Sequence, residues 1–120
     1  NMGSIAGKQT YPNGNVYCAS KAAVIALTEG MRIDLHTYNI RVASISPGHV
    51  EDTEFAMVRF DGDQERANIY SDFNPLTAFD IAETIYFMAS RPNHVNIQDV
   101  IIMGTQQPTA TIVNRNGRID

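Results

Sequence analysis

The fold is decided by residues 15–48, which read NVYCASKAAVIALTEGMRIDLHTYNIRVASISPG. Apolar residues recur at helical spacing through the first two thirds of this stretch, at positions 16, 19, 23, 24, 27, 31 and 35. Asn15 can cap the start of a helix that we predict from Val16 to His36. The β-branched run from Ile40 to Ser46 then predicts a buried strand, which Pro47-Gly48 ends abruptly.

The flanking segments extend this pattern to an α/β fold. Residues 1–5 are typical of the last part of a strand, and residues 6–15 predict a loop. A second helix is predicted from about Phe79 to Ser90, where Thr77 and Asp80 can act as caps, and a further strand from Val95 to Met103. Strand, long helix and strand in this order predict a right-handed crossover between parallel strands.

Two segments show no regular pattern. Residues 49–75 mix aromatic side chains with Asp, Glu, Gly and Asn, which favours short mobile helices that serve as a lid or substrate loop. A packed surface excursion is the alternative for this segment. The last fifteen or so residues are expected to form a tail.

Composition bounds the function. The chain has 120 residues, enough for one domain, with a net charge of -4 and a pI of about 5.2, which argue against nucleic acid or an anionic membrane as partner. The longest apolar run, Ala22–Leu27, is too short to span a membrane, and the first residues lack a signal-peptide pattern, so we expect a cytoplasmic protein. Cys18 has no internal disulfide partner, and the spacing of the three histidines is not that of metal ligands, so we expect no metal site.

Tyr17 and Lys21 form a candidate catalytic pair. Residues four apart lie one helical turn apart on the same face, so the ammonium group can act on the phenolic proton. A free phenol titrates near pH 10, and its use near neutrality requires the phenolate to be stabilised by roughly 4 kcal/mol. Ser4 lies at a predicted strand end, where ligands bind in open α/β sheets. The alternative is a half-buried tyrosine with a lysine stem packed along it.

The order of three motifs resembles the short-chain dehydrogenase/reductase family: Gly3-Ser4-Ile5-Ala6-Gly7, then Tyr17-x-x-x-Lys21, then Pro47-Gly48-His49-Val50 after a strand. The resemblance covers the whole chain but only the C-terminal half of that family's usual domain. It implies that residues 1–120 are the C-terminal part of a single Rossmann-type oxidoreductase domain, the C-terminal half of a doubly wound parallel sheet, with the N-terminal dinucleotide-binding half absent.

Further motifs resemble one subgroup, the NADP-dependent 3-hydroxy acid dehydrogenases that act on serine or allo-threonine. These motifs are Gly14–Tyr17, Val50–Phe55, Val58-Arg59-Phe60 with Gly62-Asp63, and His94–Ile97. The subgroup implies a small hydroxy acid, or its keto or semialdehyde form, as substrate. NADP is the expected cofactor, with NAD possible.

The family resemblance implies a role for each matching residue. Tyr17 would be the general acid/base, giving its proton to a carbonyl oxygen or taking it from a hydroxyl. Lys21 would make that proton easier to remove and would hold the nicotinamide ribose hydroxyls. Ser4 would hydrogen-bond the same substrate oxygen while hydride moves between substrate and nicotinamide.

The resemblance also implies cofactor contacts after the predicted strand. Pro47, Gly48 and the Val50 backbone would face the nicotinamide carboxamide, and Thr53 could donate to the diphosphate. In many members the threonine comes one residue earlier after Pro-Gly, so Thr53 departs from the pattern. The glycine-rich diphosphate loop of the family has no counterpart here, and we expect these residues alone to bind dinucleotide poorly.

Arg59 is a candidate substrate-binding residue. The carboxylate of a hydroxy acid needs a cationic partner, and an arginine in a loop beside the site would form a bidentate pair with it. A solvated arginine on a loop is the alternative.

A homodimer or homotetramer is the expected assembly, because members of this family commonly pair the helix that carries the tyrosine. The apolar positions near Leu27, Met31 and Leu35 suit such pairing, and burial against the rest of the domain is the alternative.

Two alternative functions differ in how well the sequence supports them. A phosphate-binding loop at residues 3–10 fails on spacing, because three residues rather than four separate the glycines and glutamine follows Lys8. A non-catalytic fragment or assembly module that keeps the dehydrogenase fold remains open.

Overall fold

The computed structural model describes residues 1–51, 53–54, 58, 61–62 and 69–119. Its centre is a parallel pair of strands, β1 (Ser44–Pro47) and β2 (Asp99–Ile102), which run in register from Ser44 opposite Asp99 to Pro47 opposite Ile102. All four residues of β1 are buried. The parallel pairing confirms the prediction of a parallel sheet.

The N-terminal residues extend along the other edge of β1. Met2 forms a parallel bridge with Ile45, the Gly3 amide donates to the Ile45 carbonyl at 2.7 Å, and the Ile45 amide donates to the Asn1 carbonyl at 3.1 Å. This strand-like segment is shorter than the predicted residues 1–5, because Ile5–Gly7 turns into a 3-10 helix. Residues 1–3, β1 and β2 therefore lie side by side with their carboxyl ends at one edge.

Both predicted strands are longer than the observed ones. The run from Ile40 to Ser46 is a strand only from Ser44, and it includes Pro47. Before that point the carbonyl of Val42 accepts from the Nε of Arg32 at 3.0 Å and from the Nδ2 of Asn96 at 3.3 Å. Side chains rather than a neighbouring strand bind this part of the backbone, so ladder pairing starts later.

The long helix α1 spans Asn15–Leu35, and a 3-10 turn, His36–Tyr38, continues it. Its N-cap is Gly14, which makes no side-chain cap bond, so the prediction that Asn15 caps the helix was wrong. Asn15 is the first helical residue, and its Oδ1 accepts from the Val16 amide at 2.9 Å. The helix otherwise agrees with the prediction to within one residue at each end.

Two faces of α1 differ in burial. The inner face, defined by Tyr17, Cys18, Lys21 and Thr28, is half-buried or buried, and the outer face, defined by Val16, Leu27 and Ile33, is 79%, 61% and 62% exposed. The predicted apolar stripe is thus divided, since Val24, Met31 and Leu35 are partly buried while Val16 and Leu27 are not. The buried hydroxyl of Thr28 is satisfied because it donates to the Val24 carbonyl at 2.7 Å and accepts from Asn1 at 2.8 Å.

The second helix, α2, spans Ala78–Ala89 and begins with a capping box. The Asp80 amide donates to the Thr77 hydroxyl and the Thr77 amide donates to the Asp80 carboxylate, as the sequence indicated. These bonds from Thr77 lower the pKa of Asp80. From α2, Ile81 packs with Ile45 and Leu76 in a small apolar core.

The prediction of a C-terminal tail was wrong. Residues 105–119 fold back over Glu51 and residues 69–76 and bind them mainly through side chains. Arg115 pairs with Asp72 at 2.6 Å, and Arg118 pairs with Glu51 at 2.5 Å. These contacts join parts of the chain more than forty residues apart, which no local pattern reveals.

The irregular segment 49–75 lies partly outside the described residues. Within its described part, Val50 forms a parallel bridge with Leu76, Val58 is helical with its amide donating to the Glu54 carbonyl at 2.9 Å, and residues 69–72 form turns. Most of the predicted short helices lie outside the described residues. Over the part of the chain that the structure describes, no helix combines the length and apolar character that a membrane span requires.

Candidate active site

Ser4 lies where the N-terminal segment leaves the sheet. Its backbone is extended, and its hydroxyl oxygen accepts from the Ala6 amide at 3.1 Å, which caps the 3-10 turn Ile5–Gly7. Met2 lies opposite Ile45 in a parallel bridge, so Ser4 leaves the sheet at the same edge as Pro47 and Gly48. The carboxyl edge of a parallel sheet is where α/β proteins bind ligands.

Gly7 allows the Ser4 turn, which consists of Ser4 and the 3-10 turn Ile5–Gly7, to pack against helix α1. A Cβ on Gly7 would lie 2.7 Å from both the carbonyl carbon and the carbonyl oxygen of Lys21, and 3.0 Å from the Ala22 amide nitrogen. Real Cβ atoms do not approach backbone this closely, so only glycine permits the contact. The turn that carries Ser4 and the helix backbone at Lys21 are therefore in direct contact.

Tyr17 and Lys21 lie one turn apart on the inner face, as their spacing predicts. The Nζ of Lys21 is 5.8 Å from the centroid of the Tyr17 ring, and both residues are half-buried. This distance is within the range of a cation–π interaction. The arrangement holds a positive charge beside the phenol, at the place where the Ser4 turn meets the helix.

The turn after β1 is held on three sides. The Gly48 amide donates to the Ile102 carbonyl at 2.9 Å, and the His49 amide donates to the Oε1 of Gln107 at 2.8 Å. In the bridge between Val50 and Leu76, the Glu51 amide donates to the Leu76 carbonyl at 2.8 Å, and the Leu76 amide donates to the His49 carbonyl at 2.9 Å. Successive residues of an extended chain direct their backbone groups to opposite sides. The amide and carbonyl of Val50 itself therefore point away from Leu76.

Gly3 and Ser46 keep the two segments close together. Ser46 is fully buried, and its Oγ would lie 2.9 Å from a Cβ on Gly3. Among the described residues this hydroxyl has no hydrogen-bond partner. The absence of a side chain at Gly3 thus allows the segment that carries Ser4 to lie flat against β1.

An ion pair fixes Lys8, the residue that follows the 3-10 turn Ile5–Gly7. The Nζ of Lys8 is 2.5 Å from the Oδ2 of Asp99, and the Ser44 hydroxyl donates to the Oδ1 of the same carboxylate at 3.1 Å. Burial acts to raise the pKa of Asp99, but the bonds from Lys8 and Ser44, together with the charges of Lys8 and Arg32, leave it below its usual value. The turn is thereby tied to the first residue of β2.

A ring cluster packs beside the turn after β1. The ring of Phe73 is fully buried, 5.8 Å from that of His49 and 6.1 Å from that of Tyr70, in the edge-on geometry that aromatic pairs favour. Neither Phe73 nor Gln107 belongs to a motif that predicts a site residue. Their contacts with the turn join distant parts of the chain, so no local motif indicates them.

Two predicted site residues belong to the segment after the turn. Thr53 is exposed on the segment that follows the turn. Arg59 lies outside the described residues.

The chain is similar to known proteins in sequence and in structure. The family model for short chain dehydrogenases matches residues 1–64, just over half of the chain, including the Ser4 turn, α1 and the turn after β1. The chain belongs to the short-chain dehydrogenase family. Membership accounts for the parallel strands and for the order of the three motifs along the sequence.

Curated relatives of this chain include dehydrogenases and reductases. Serine 3-dehydrogenase of Agrobacterium fabrum is 46% identical over 111 residues, covering 92% of this chain and 44% of that protein. The NADP-dependent 3-hydroxy acid dehydrogenase of Schizosaccharomyces pombe is 42% identical over 116 residues, covering 96% of this chain and 44% of that protein. The chain thus spans less than half the length of the curated relatives it matches.

Solved structures confirm the predicted α/β, Rossmann-type fold. The closed form of a serine dehydrogenase complexed with NADP+ matches with a TM-score of 0.89 and 40% identity, covering 95% of this chain and 46% of that one. A 4-hydroxyisoleucine dehydrogenase complexed with NADH matches with a TM-score of 0.68 and 28% identity, covering 92% of this chain and 45% of that one.

Proposed function

We propose that the protein containing these residues is an NADP-dependent oxidoreductase that transfers hydride between the cofactor and a small 3-hydroxy acid or its keto or semialdehyde form. In this proposal, residues 1–120 are the C-terminal part of a single dehydrogenase domain. One observation carries it: the Ser4 turn meets helix α1 at Lys21 through a contact that only Gly7 permits, one helical turn from Tyr17. The names of the relatives support the substrate class.

Tyr17 is the general acid/base of this proposal. In oxidation its phenolate takes the hydroxyl proton of the substrate, and in reduction its phenol gives that proton back. Lys21, whose charge lies 5.8 Å from the ring centroid, favours the phenolate electrostatically and holds the nicotinamide ribose hydroxyls. Ser4 hydrogen-bonds the same substrate oxygen, at the edge of the sheet that the turn leaves.

The turn after β1 fits a nicotinamide carboxamide. The Val50 amide and carbonyl point away from Leu76, so one residue offers both a donor and an acceptor, which match the two halves of a carboxamide. Pro47 and Gly48 would line the same surface, and Thr53 would donate to the diphosphate. When bound, the nicotinamide supplies the hydride acceptor or donor.

NADP is proposed rather than NAD because the serine dehydrogenase structure contains NADP+ and the fission-yeast relative is NADP-dependent. The 4-hydroxyisoleucine dehydrogenase complex with NADH keeps NAD as the second candidate.

Arg59 is proposed to bind the substrate carboxylate through a bidentate pair. Replacing Arg59 by Met should raise the KM for a carboxylated substrate and leave the KM for the cofactor unchanged. An unchanged KM for the carboxylated substrate would remove Arg59 from the site.

The outer face of α1 is proposed to pair with another subunit in a homodimer or homotetramer. Of the positions expected to pair, Leu27 is exposed, whereas Met31 and Leu35 are partly buried. The exposed Val16 and Ile33 extend the apolar surface around Leu27. We place the enzyme in the cytoplasm, in keeping with its acidic composition and single cysteine.

Cofactor turnover by the full-length protein tests the function. NADPH oxidation should be followed with 3-oxo acids and semialdehyde acids, and NADP+ reduction with serine and allo-threonine. We expect turnover with at least one such pair and slower turnover with NAD(H). Tight substrate or subunit binding without any cofactor turnover would favour the assembly module instead.

A further inference from the structure

Gln107 is a buried side chain from the C-terminal segment that reaches the turn after β1. It is 1% exposed, and its Oε1 accepts from the His49 amide at 2.8 Å across 58 residues of sequence. The same oxygen would lie 2.4 Å from a Cβ on Gly48. The amide therefore packs directly against the turn.

The orientation of this amide follows from its partner. The His49 amide can only donate, so the oxygen of Gln107 must face it. Among the described residues, the Nε2 of Gln107 has no hydrogen-bond partner. The Gln107 side chain thus binds the turn through one hydrogen bond, which its Oε1 accepts.

We infer that Gln107 is a positioning residue that fixes the turn Pro47–Val50 for cofactor binding. Its bond to His49 lies between Gly48 and Val50, the residues that the proposed function sets against the nicotinamide. If the His49 backbone amide loses its acceptor on Gln107, leaving it unpaired costs free energy. The turn would therefore shift until this amide can donate to water. The effect on cofactor binding rests on the proposed function, whereas the effect on the turn does not.

The neighbouring Gln106 is a matched control. It is also buried, but its Oε1 accepts from the Asn74 amide at 2.7 Å, and its Nε2 donates to the carbonyls of Asn114 and Gly117 at 3.2 and 2.9 Å. Gln106 therefore anchors the C-terminal segment and does not contact the turn through these bonds. Replacing either glutamine by Met removes a buried side-chain amide, but only Gln107 accepts a hydrogen bond from the His49 amide.

The experiment compares Gln107→Met, Gln107→Glu and Gln106→Met in the full-length protein, by amide hydrogen exchange and by steady-state kinetics with NADPH. For Gln107→Met we expect faster exchange at residues 48–50 and a KM for NADPH raised roughly tenfold, with the substrate KM within about twofold. Gln107→Glu keeps an acceptor oxygen and should restore slow exchange at His49. Gln106→Met should speed exchange at Asn74, whose amide donates to Gln106, and leave the KM for NADPH within about twofold.

Two results would overturn the inference: unchanged exchange at residues 48–50 in Gln107→Met, or the same rise in cofactor KM in Gln106→Met. If Gln107→Met does not fold, Gln107→Asn, whose oxygen is withdrawn by one methylene, should give the same exchange and KM changes. A wild-type protein without cofactor turnover would refute the proposed function, and the exchange data alone would then decide the role of Gln107.

Discussion

The two faces of helix α1 differ in what holds them. The inner face meets the Ser4 turn backbone to backbone at Gly7, and its buried positions are Cys18 and Thr28 rather than large aliphatic side chains. The outer face carries Val16, Leu27 and Ile33 and is largely exposed. The candidate site is therefore formed by close contact between two backbone segments rather than by packing of large apolar side chains. The apolar residues on the outer face of the same helix are available to contact another surface.

The largest difference between the faces should appear in catalysis. Tyr17→Phe removes the phenolic proton and should lower kcat/KM by about 10²- to 10⁴-fold, the usual contribution of a general acid/base. The adjacent outer-face variant Val16→Ala should retain activity to within about threefold, because Val16 is 79% exposed. The measurement is steady-state NADPH oxidation at matched protein concentration. Comparable activity in both variants would remove the functional distinction between the faces.

The second difference should appear in stability. Gly7→Ala forces a Cβ against the Lys21 backbone and should lower the free energy of unfolding by about 1–3 kcal/mol. Gly30→Ala meets nothing within 4 Å, so it should raise that free energy by up to about 1 kcal/mol through helix propensity. Urea denaturation measures both. A Gly7→Ala protein as stable as the wild type would show that the turn is not tightly packed on α1.

The outer face should govern assembly rather than folding. Leu27→Glu places a charge at a position that is 61% exposed, so it should dissociate the proposed oligomer and leave the protomer folded. Ile112→Glu, at a position 60% exposed on the C-terminal segment, is the matched control. Sedimentation velocity and circular dichroism distinguish these effects. An oligomer that tolerates Leu27→Glu would assign the interface to another surface.

The smallest effect concerns the ion pair between Lys8 and Asp99, which ties the Ser4 turn to β2. The pKa of Asp99 is lowered on folding, so its carboxylate stabilises the protein above the unfolded value of about 4, and this stabilisation is lost as pH falls through the folded pKa. Asp99→Asn should therefore be less stable than the wild type at neutral pH, by less than about 1 kcal/mol because the pair is partly exposed. The difference should vanish in acid. Thermal unfolding across this pH range is the measurement, and a difference that does not depend on pH would contradict it.

Local patterns explain what the sequence predicted well. The span of α1, the capping box at Thr77 and the one-turn separation of Tyr17 and Lys21 each depend on residues at most four apart or on helical periodicity. The predictions that were wrong concern residues whose structure depends on contacts between distant parts of the chain. The strand that includes Pro47 starts late because Arg32 and Asn96 bind the Val42 carbonyl, and the expected tail folds back through Gln106 and Gln107.

The division of the apolar positions on α1 shows the same limit. Helical spacing placed them correctly on a helix, but it did not show which side the Ser4 turn occupies. That side is chosen by Gly7, whose effect depends on the Lys21 backbone fourteen residues later in the sequence.

Deuterium transfer tests the central claim most directly. NADPH deuterated at the transferred position is incubated with a 3-oxo acid or semialdehyde acid and the full-length protein, and the product is analysed by mass spectrometry. The account predicts one deuterium at the new carbinol carbon in the wild type, and little product from Tyr17→Phe under the same conditions. Product without deuterium, or equal product from Tyr17→Phe, would contradict hydride transfer at the Ser4, Tyr17 and Lys21 site.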